Sequence, residues 1–229
     1  MVVLGVSLVA LVLLGGCSGD DDEGRASLES VCDIKRGACQ RAIFDAAAEV
    51  RGQLTATMPP VQTITLQQFA DMLAAQSGQD DGEESVWNAL LPLLTLRPAG
   101  SSLSDAATEE QVDGVAAFYS TDPKGITVID RGPSDPQDDV FVLAHEMVHA
   151  LQDQEIGLES LLTQPRSLDS LVAIKALVEG EASVLGVGVL AKALQRPAST
   201  MNWSGVAESM QTGFFETASA SDTEPVRRW

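Results

Sequence analysis

Hydrophobic positions recur with helical spacing over much of the chain. The first such stretch covers residues 28–54, and a second begins at Thr65, a residue type that commonly caps helices. A third pattern predicts a helix over residues 138–154 with Gly157 beyond its end, and a fourth predicts a helix over residues 167–194. The chain is therefore expected to be mainly helical.

A shorter pattern with a period of two lies between these helices, at residues 111–131. Apolar residues alternate up to Tyr119, a Pro- and Gly-containing segment at 120–125 has the composition of a turn, and apolar residues resume at Ile126. This pattern predicts a β-hairpin. Together with the helices it predicts the α+β class.

Two further segments precede the hairpin. Residues 76–84 are polar and rich in Gly and Asp, which predicts a loop. Residues 86–96 form a continuous apolar run that fits a short helix, although periodicity does not separate this from a buried strand.

The beginning of the chain has the composition of an export signal. Residues 1–16 are almost wholly apolar, too short to span a bilayer comfortably, and end in small residues, as secretory signal peptides do. The segment Leu14-Gly15-Gly16-Cys17 resembles a bacterial lipobox, whose cysteine receives a diacylglyceryl group. The resemblance implies that Cys17 anchors the mature chain to a bacterial membrane, facing the extracytoplasmic side of the cell envelope. Residues 17–27 are polar and acidic, which predicts a flexible tether.

The two remaining cysteines, Cys32 and Cys39, lie close together in sequence. In an exported protein such a pair favours a disulfide. A metal-binding role is the alternative, but the spacing is not CxxC and no histidine lies nearby.

The overall charge excludes one class of partner. The chain has 14 Lys and Arg against 33 Asp and Glu, and its formal net charge is −19. Nucleic-acid binding requires a basic surface, so we expect no nucleic-acid partner.

The strongest chemical signal is the only pair of histidines, His145 and His149, which are four residues apart in a predicted helix. At that spacing both imidazoles project from one face and can bind a single metal ion. Glu146 lies between them and can act as general base, taking a proton from a water molecule at the metal. The motif predicts one zinc ion and metal-assisted hydrolysis. The alternative is a helix with incidental histidines.

Catalytic zinc normally has three protein ligands. The chain has no third histidine, and its cysteines are assigned to the disulfide and the lipid anchor, so a carboxylate is the remaining choice. Glu179 and Glu181 are the candidates, because they interrupt an apolar run where a buried carboxylate needs a partner. The residues alone leave both open.

The strings HEMVHALQDQ at residues 145–154 and ALVEGEA at 176–182 resemble the gluzincins, which are HExxH zinc peptidases with a glutamate ligand on a following helix. They are also similar to a poorly characterised group of exported metallopeptidases. The resemblance covers about residues 114–190. It implies a zincin-like domain, Glu179 as the third ligand, and a peptide or protein substrate held along the exposed edge of the strands near Tyr119.

On this basis we expect four regions, the last of them incomplete at its C-terminal end. They are a lipoprotein signal peptide at 1–16, an acidic tether at 17–27, a helical N-terminal region at 28–110, and a zincin-like domain at 111–229.

One part of the gluzincin pattern is missing. Members commonly use a downstream Tyr or His to stabilise the oxyanion of the reaction, and neither residue type occurs after His149. This leaves Tyr119, upstream, as the candidate catalytic electrophile. The alternatives are the arginines Arg166, Arg196, Arg227 and Arg228.

Ligating histidines usually donate their second ring N–H to a carboxylate or carbonyl. Asp153, one helical turn beyond His149, is a candidate for that task. Asp169 and Glu181 are further candidates, and each of the three has an ordinary solvated or capping role as its alternative.

Three functions are therefore open. The first is an envelope lipoprotein with a zinc peptidase domain. The second is a zinc-binding lipoprotein with impaired catalysis that acts as a binding or scaffold protein. The third is an acidic helical interaction protein without metal.

Overall fold

The fold combines one small sheet with several helices, which confirms the expected α+β class with mainly helical content. The computed structural model describes residues 3–7, 30–77, 112, 114–164 and 167–208. The elements are β1 Val3–Ser7, α1 Gly37–Arg51, β2 Val61–Thr65, α2 Leu66–Ser77, β3 Val115–Thr121, β4 Lys124–Asp130, α3 Pro136–Ile156, α4 Leu158–Thr163, α5 Leu168–Ala193 and a 3-10 turn at Ala198–Thr200. A short helix at 203–208 follows.

The chain divides into two compact units. Of the described elements, the first unit contains α1, β4, α3, α4, α5 and nearly all of β1, β2 and β3. The second contains α2 and the helix at 203–208. In the second unit Thr65 caps α2, as predicted, because its hydroxyl accepts the N–H of Gln68 at 3.2 Å while the Gln68 side chain accepts the N–H of Thr65 at 2.8 Å.

The sheet has the strand order β1-β3-β4-β2, and the predicted hairpin forms its centre. β3 and β4 pair antiparallel with Tyr119 opposite Ile126. The turn is shorter than predicted, since only Asp122 and Pro123 lie between the strands. In the full chain β1 and β2 flank the hairpin on both sides, so the expected exposed edge beside Tyr119 is covered by β1, a strand within the predicted signal peptide.

Helix α3 carries the HExxH motif and is the central helix of its unit. Asp135 caps its start by accepting the N–H of Gln137 at 2.8 Å, and Pro136 occupies the first helical position, where no N–H is needed. Gly157, at φ 67°, ends the helix as predicted. Every residue from Val140 to Asp153 is buried, because α1, α4, α5 and β4 all pack against α3.

Helix α5 brings the predicted carboxylates to α3. It begins after Ser167, whose hydroxyl accepts the N–H of Ser170, and ends at Ala193, close to the predicted bounds of 167–194. Gly186 allows the close approach, since a Cβ at this position would lie 3.2 Å from the Phe141 ring and 3.5 Å from the backbone nitrogen of His145. The short helix α4, Leu158–Thr163, was not predicted from the sequence.

The predicted disulfide between Cys32 and Cys39 is present, with the two Cα atoms 5.8 Å apart. The predicted start of the first helix at residue 28 is wrong, because α1 begins at Gly37. A continuous helix would separate residues seven apart by about 10 Å along its axis, so it cannot contain this disulfide. Helix α1 ends at Gly52, as predicted, with φ 79°.

Several predicted features lie outside the described residues. They are the lipobox with Cys17, the tether, the segment 86–96 and most of the polar loop before it. Within the predicted signal peptide only Val3–Ser7 is described, as the strand β1. None of the described helices combines the length and the hydropathy that a membrane span requires.

Candidate metal centre

The two histidines of α3 present their Nε2 atoms to each other. These nitrogens are 3.0 Å apart, and the ring centroids are 4.7 Å apart in an edge-to-face arrangement. Residues four apart are about 40° apart around a helix, which explains why both rings share a face. His145 is 2% exposed and His149 is 0% exposed, so water does not surround the pair.

Glu179 on α5 completes the cluster. Its Oε2 lies 3.0 Å from Nε2 of His145 and 3.4 Å from Nε2 of His149. Its side chain is 36% exposed, so the cluster opens to solvent on this side. Glu181 points elsewhere, because its oxygens bind Gln152 and Arg51. The structure therefore selects Glu179, and not Glu181, as the third potential metal ligand.

The spacing of the three donor atoms fits a metal ion. In a tetrahedral zinc site with bonds of about 2.1 Å, two ligand atoms lie about 3.4 Å apart. The observed separations of 3.0, 3.0 and 3.4 Å are close to this value. A point about 2.1 Å from all three atoms exists slightly out of their plane, as expected for a site with one further position for water or substrate. Among the described residues these three side chains form the group of potential ligands, and their geometry alone does not identify the metal.

The electrostatics of the cluster favour the ligating forms of His145 and Glu179. Burial, together with the neighbouring His149, lowers the pKa of His145 to about 4 despite the hydrogen bond to Glu179, so His145 is neutral at pH 7. Burial raises the pKa of Glu179, but the hydrogen bond from His145 and the close approach of His149 outweigh this effect and hold the pKa at about 2. A neutral imidazole and an ionised carboxylate are the forms that bind metal ions.

Glu146 follows His145 in α3 and is fully buried at 0% exposure. On a helix it lies about 100° around from His145 and about 60° from His149, so the three side chains occupy less than a third of the circumference. The carboxylate therefore projects next to the face that carries the donor nitrogens. This is the position that the HExxH motif predicts for a general base.

The residue that orients His149 is Gln152, which was not among the site residues predicted from the sequence. Its Oε1 lies 2.8 Å from Nδ1 of His149, and its amide nitrogen donates to Glu181 and to the backbone carbonyl of Val178. Gln152 is fully buried. A buried amide three residues after a ligating histidine, on the same helix face, is the signal that could have identified it.

Asp153 and Tyr119 form a separate pair, which corrects the orienting role predicted for Asp153. The Tyr119 hydroxyl donates to Oδ2 of Asp153 at 2.9 Å, and both side chains are buried. Asp153 also accepts from Lys124 at 2.6 Å and from the N–H of Leu158 at 2.8 Å. Burial and the adjacent Asp153 raise the pKa of Tyr119. The pair joins the hairpin to the end of α3. Because Gln152 takes the second ring nitrogen of His149, the orienting role of Asp153 is wrong, whereas the catalytic role of Tyr119 stays a prediction.

The remaining predicted site residues differ in whether they lie near the metal cluster. Glu181 does lie in the surroundings of the metal ligands, through its hydrogen bond to Gln152. Asp169 does not, because it is exposed in the first turn of α5, about 15 Å along the helix from Glu179. Arg196 is exposed after α5, and the other three candidate arginines lie outside the described residues. Ser183 approaches Nδ1 of His145 at 3.5 Å, a weak contact.

Comparison of the chain with protein-family models, with curated proteins and with solved structures finds no match. The function must therefore be argued from the site itself.

Proposed function

We propose that this protein is a zinc-dependent hydrolase of peptide bonds with a gluzincin-type site. The observation that carries the proposal is the convergence of His145, His149 and Glu179 on one point, from the HExxH helix and a following helix. Two imidazoles and one carboxylate are the donor set of catalytic zinc in peptidases of this type. A structural zinc site would more commonly have four protein donors.

Each residue of the cluster has a definite task in this proposal. His145, His149 and Glu179 hold the ion, which when bound supplies Lewis acidity toward a water molecule and a substrate carbonyl. Glu146 removes the proton of the attacking water and delivers it to the leaving amine. The exposed side of Glu179 admits the substrate, since the two histidines are enclosed by protein.

We also propose that the domain belongs to a lipoprotein of the bacterial cell envelope. The support is the apolar leader, the lipobox-like segment ending at Cys17, and the disulfide between Cys32 and Cys39, which is typical of proteins outside the reducing cytosol. The partners would be a membrane, through the lipid on Cys17, and a peptide or protein substrate.

One observation favours a second candidate function, a zinc-binding lipoprotein with impaired catalysis that serves as a scaffold. The hydroxyl of Tyr119 is held by the buried Asp153, so this side chain does not supply an oxyanion donor. Loss of one such donor typically lowers the rate by about 10²- to 10³-fold. The site would then bind metal without efficient turnover.

The two candidates are separated by a metal and activity measurement on matched variants. We expect the purified chain to bind one equivalent of zinc and both His145→Ala and Glu179→Ala to lose it, whereas Glu181→Gln keeps it. The wild type should hydrolyse a mixture of unstructured peptides. The Glu146→Gln variant should keep the zinc but show no hydrolysis of the same mixture. Zinc binding without hydrolysis in the wild type would favour the scaffold. Absence of zinc binding in the wild type would favour the third alternative, an acidic helical interaction protein without metal.

A further inference from the structure

The side-chain amide of Gln152 lies between the metal cluster and the helix that supplies Glu179. It contacts His149 Nδ1 at 2.8 Å, the carbonyl oxygen of Val178 at 3.0 Å, and Oε2 of Glu181 at 2.8 Å. Gln152 is 0% exposed, so these protein groups take the place of water around it.

The chemistry of its partners fixes the orientation of this amide. A backbone carbonyl and a carboxylate only accept hydrogen bonds, so the NH₂ group must face Val178 and Glu181. The opposite orientation would place the amide oxygen against two acceptors and leave buried groups unsatisfied. The oxygen of Gln152 therefore faces His149.

The orientation of the amide in turn fixes the tautomer of His149. Since Oε1 of Gln152 accepts, Nδ1 of a neutral His149 must carry the proton and donate it. The lone pair is then on Nε2, the nitrogen that lies 3.0 Å from Nε2 of His145 and 3.4 Å from Glu179. This is the form of the imidazole that binds a metal through Nε2.

Helix α1 contacts Glu181, the residue to which Gln152 donates, through Arg51. Nε of Arg51 donates to the second oxygen of Glu181 at 3.2 Å, and the guanidinium also binds Gln53 at 2.5 Å and Glu155. The Arg51 side chain is only 9% exposed. Glu181 is thereby held in place to accept from Gln152.

We infer that Gln152 is a positioning residue, which holds His149 in its metal-binding tautomer and fixes it relative to the residue that precedes Glu179. Glu181 and Arg51 support it from outside. The inference rests on the proposed function only in that the cluster binds a metal. It assigns to an amide the task that a carboxylate or a backbone carbonyl often has beside a ligating histidine.

The test uses two substitutions of Gln152 and a matched control. Gln152→Met keeps the length but removes both hydrogen-bonding functions, so we expect zinc affinity to fall about 10- to 100-fold in competition with a chelator. The exchange Gln152→Glu with Glu181→Gln keeps an acceptor toward His149 and a donor–acceptor pair between positions 152 and 181, and it should stay within about tenfold of the wild type. Gln154→Leu is the control, because Gln154 lies on the same helix but binds the backbone of Thr57 instead, and its affinity should be unchanged.

A spectroscopic measurement reports on the tautomer without any metal or substrate. In the metal-free wild type at pH 8, the ¹⁵N shifts of the His149 ring should show the proton on Nδ1. The exchange Gln152→Glu with Glu181→Gln should retain that pattern, and Gln152→Met should show a mixture of both tautomers. A loss of stability alone would not change the tautomer in this way.

The outcomes separate this inference from the proposed function. Zinc binding by the wild type, with Gln152→Met unchanged in affinity and tautomer, would overturn the inference and leave the function standing. A wild type that binds no zinc but shows the Nδ1–H tautomer, lost only in Gln152→Met, would overturn the proposed function and leave standing only the part of the inference that concerns the tautomer of His149. If Gln152→Met does not fold, the exchange Gln152→Glu with Glu181→Gln still decides, because a mixed tautomer in that double variant contradicts the role of the acceptor.

Discussion

Two buried polar groups on α3 have different tasks although they are neighbours in sequence. Gln152 faces α5 and the metal cluster, whereas Asp153 faces the hairpin and accepts from Tyr119 and Lys124. Consecutive helical residues differ in direction by about 100°, so a one-residue difference moves a side chain from one neighbour to another. At the residue scale, this difference in direction gives Gln152 a place beside the metal cluster and Asp153 a place in the contact between α3 and the hairpin.

The first prediction concerns Tyr119. Tyr119→Phe removes the hydroxyl that donates to Asp153 and should lower the free energy of unfolding by about 1–2 kcal/mol. Zinc affinity should be unchanged, because Tyr119 does not contribute to the cluster of ligands. Urea unfolding and a zinc titration measure the two quantities. Loss of hydrolysis at unchanged stability would instead restore Tyr119 as the catalytic electrophile.

The second prediction concerns pH. Burial raises the pKa of Asp153, but hydrogen bonds from Lys124, Tyr119 and Leu158 outweigh this and lower it below its ordinary value. Its contribution to stability is therefore complete above about pH 4 and is lost as the pH falls through the lower, folded-state pKa.

The matched variant for this prediction is Asp153→Asn, which removes the charge at nearly constant size. At pH 7 we expect it to be about 2 kcal/mol less stable than the wild type. The difference between the two proteins should shrink as the pH is lowered below 4, measured by urea unfolding at each pH in the metal-free state. A constant difference down to pH 2 would contradict the assignment.

At the scale of elements, the site depends on how closely α3 and α5 approach. Gly186 lies against Phe141 and the backbone of His145, so the absence of a side chain there sets the separation of the two helices. Gly180 lies on the same helix, but a Cβ added there would meet no atom within 4 Å, which makes this position a natural comparison.

The third prediction compares these two glycines. Gly180→Ala should raise the free energy of unfolding by about 0.5–1 kcal/mol, because alanine is the better helix former and meets no neighbour. Gly186→Ala gains the same helix propensity but must displace the buried Phe141 ring, and we expect a net loss of about 1 kcal/mol. Urea unfolding of both variants decides. Equal stabilisation by the two substitutions would show that the helices are not in tight contact there.

At the scale of the whole molecule, the metal cluster depends on a helix that contributes no ligand. Arg51, the last residue of α1, binds Glu181 of α5 and Glu155 of α3, and Lys192 near the end of α5 binds Glu49 of α1. The disulfide fixes the opposite end of α1, through Cys39 in its first turn. Helix α1 therefore braces the two helices that hold the cluster.

The fourth prediction concerns that disulfide. Replacing both Cys32 and Cys39 with serine opens a short loop and should lower the free energy of unfolding by about 2 kcal/mol. Zinc stoichiometry should remain at one equivalent, because the described group of ligands contains no cysteine. Unfolding and zinc titration of the double variant test this. Loss of zinc from a variant that stays folded would favour the alternative in which the cysteines bind metal.

The sequence by itself determined the helices that carry the site and two of the three ligands. Periodicity, with Gly157 after α3 and Ser167 before α5, located both helices to within a few residues, because capping residues act locally. The spacing of His145 and His149 fixed their common face, because four residues are nearly one turn.

Tertiary structure decided everything that depends on contacts between elements. The sequence could not separate Glu179 from Glu181 without the resemblance, and it named Asp153 but not Gln152 as a partner of His149. The direction of each side chain depends on which helix packs on which face. It also predicted both a helix through Cys32 and a disulfide to Cys39, and only the folded chain shows that the covalent bond prevails over helical periodicity. Local patterns fix the elements, but the ligand set and its support arise where α1, α3 and α5 meet.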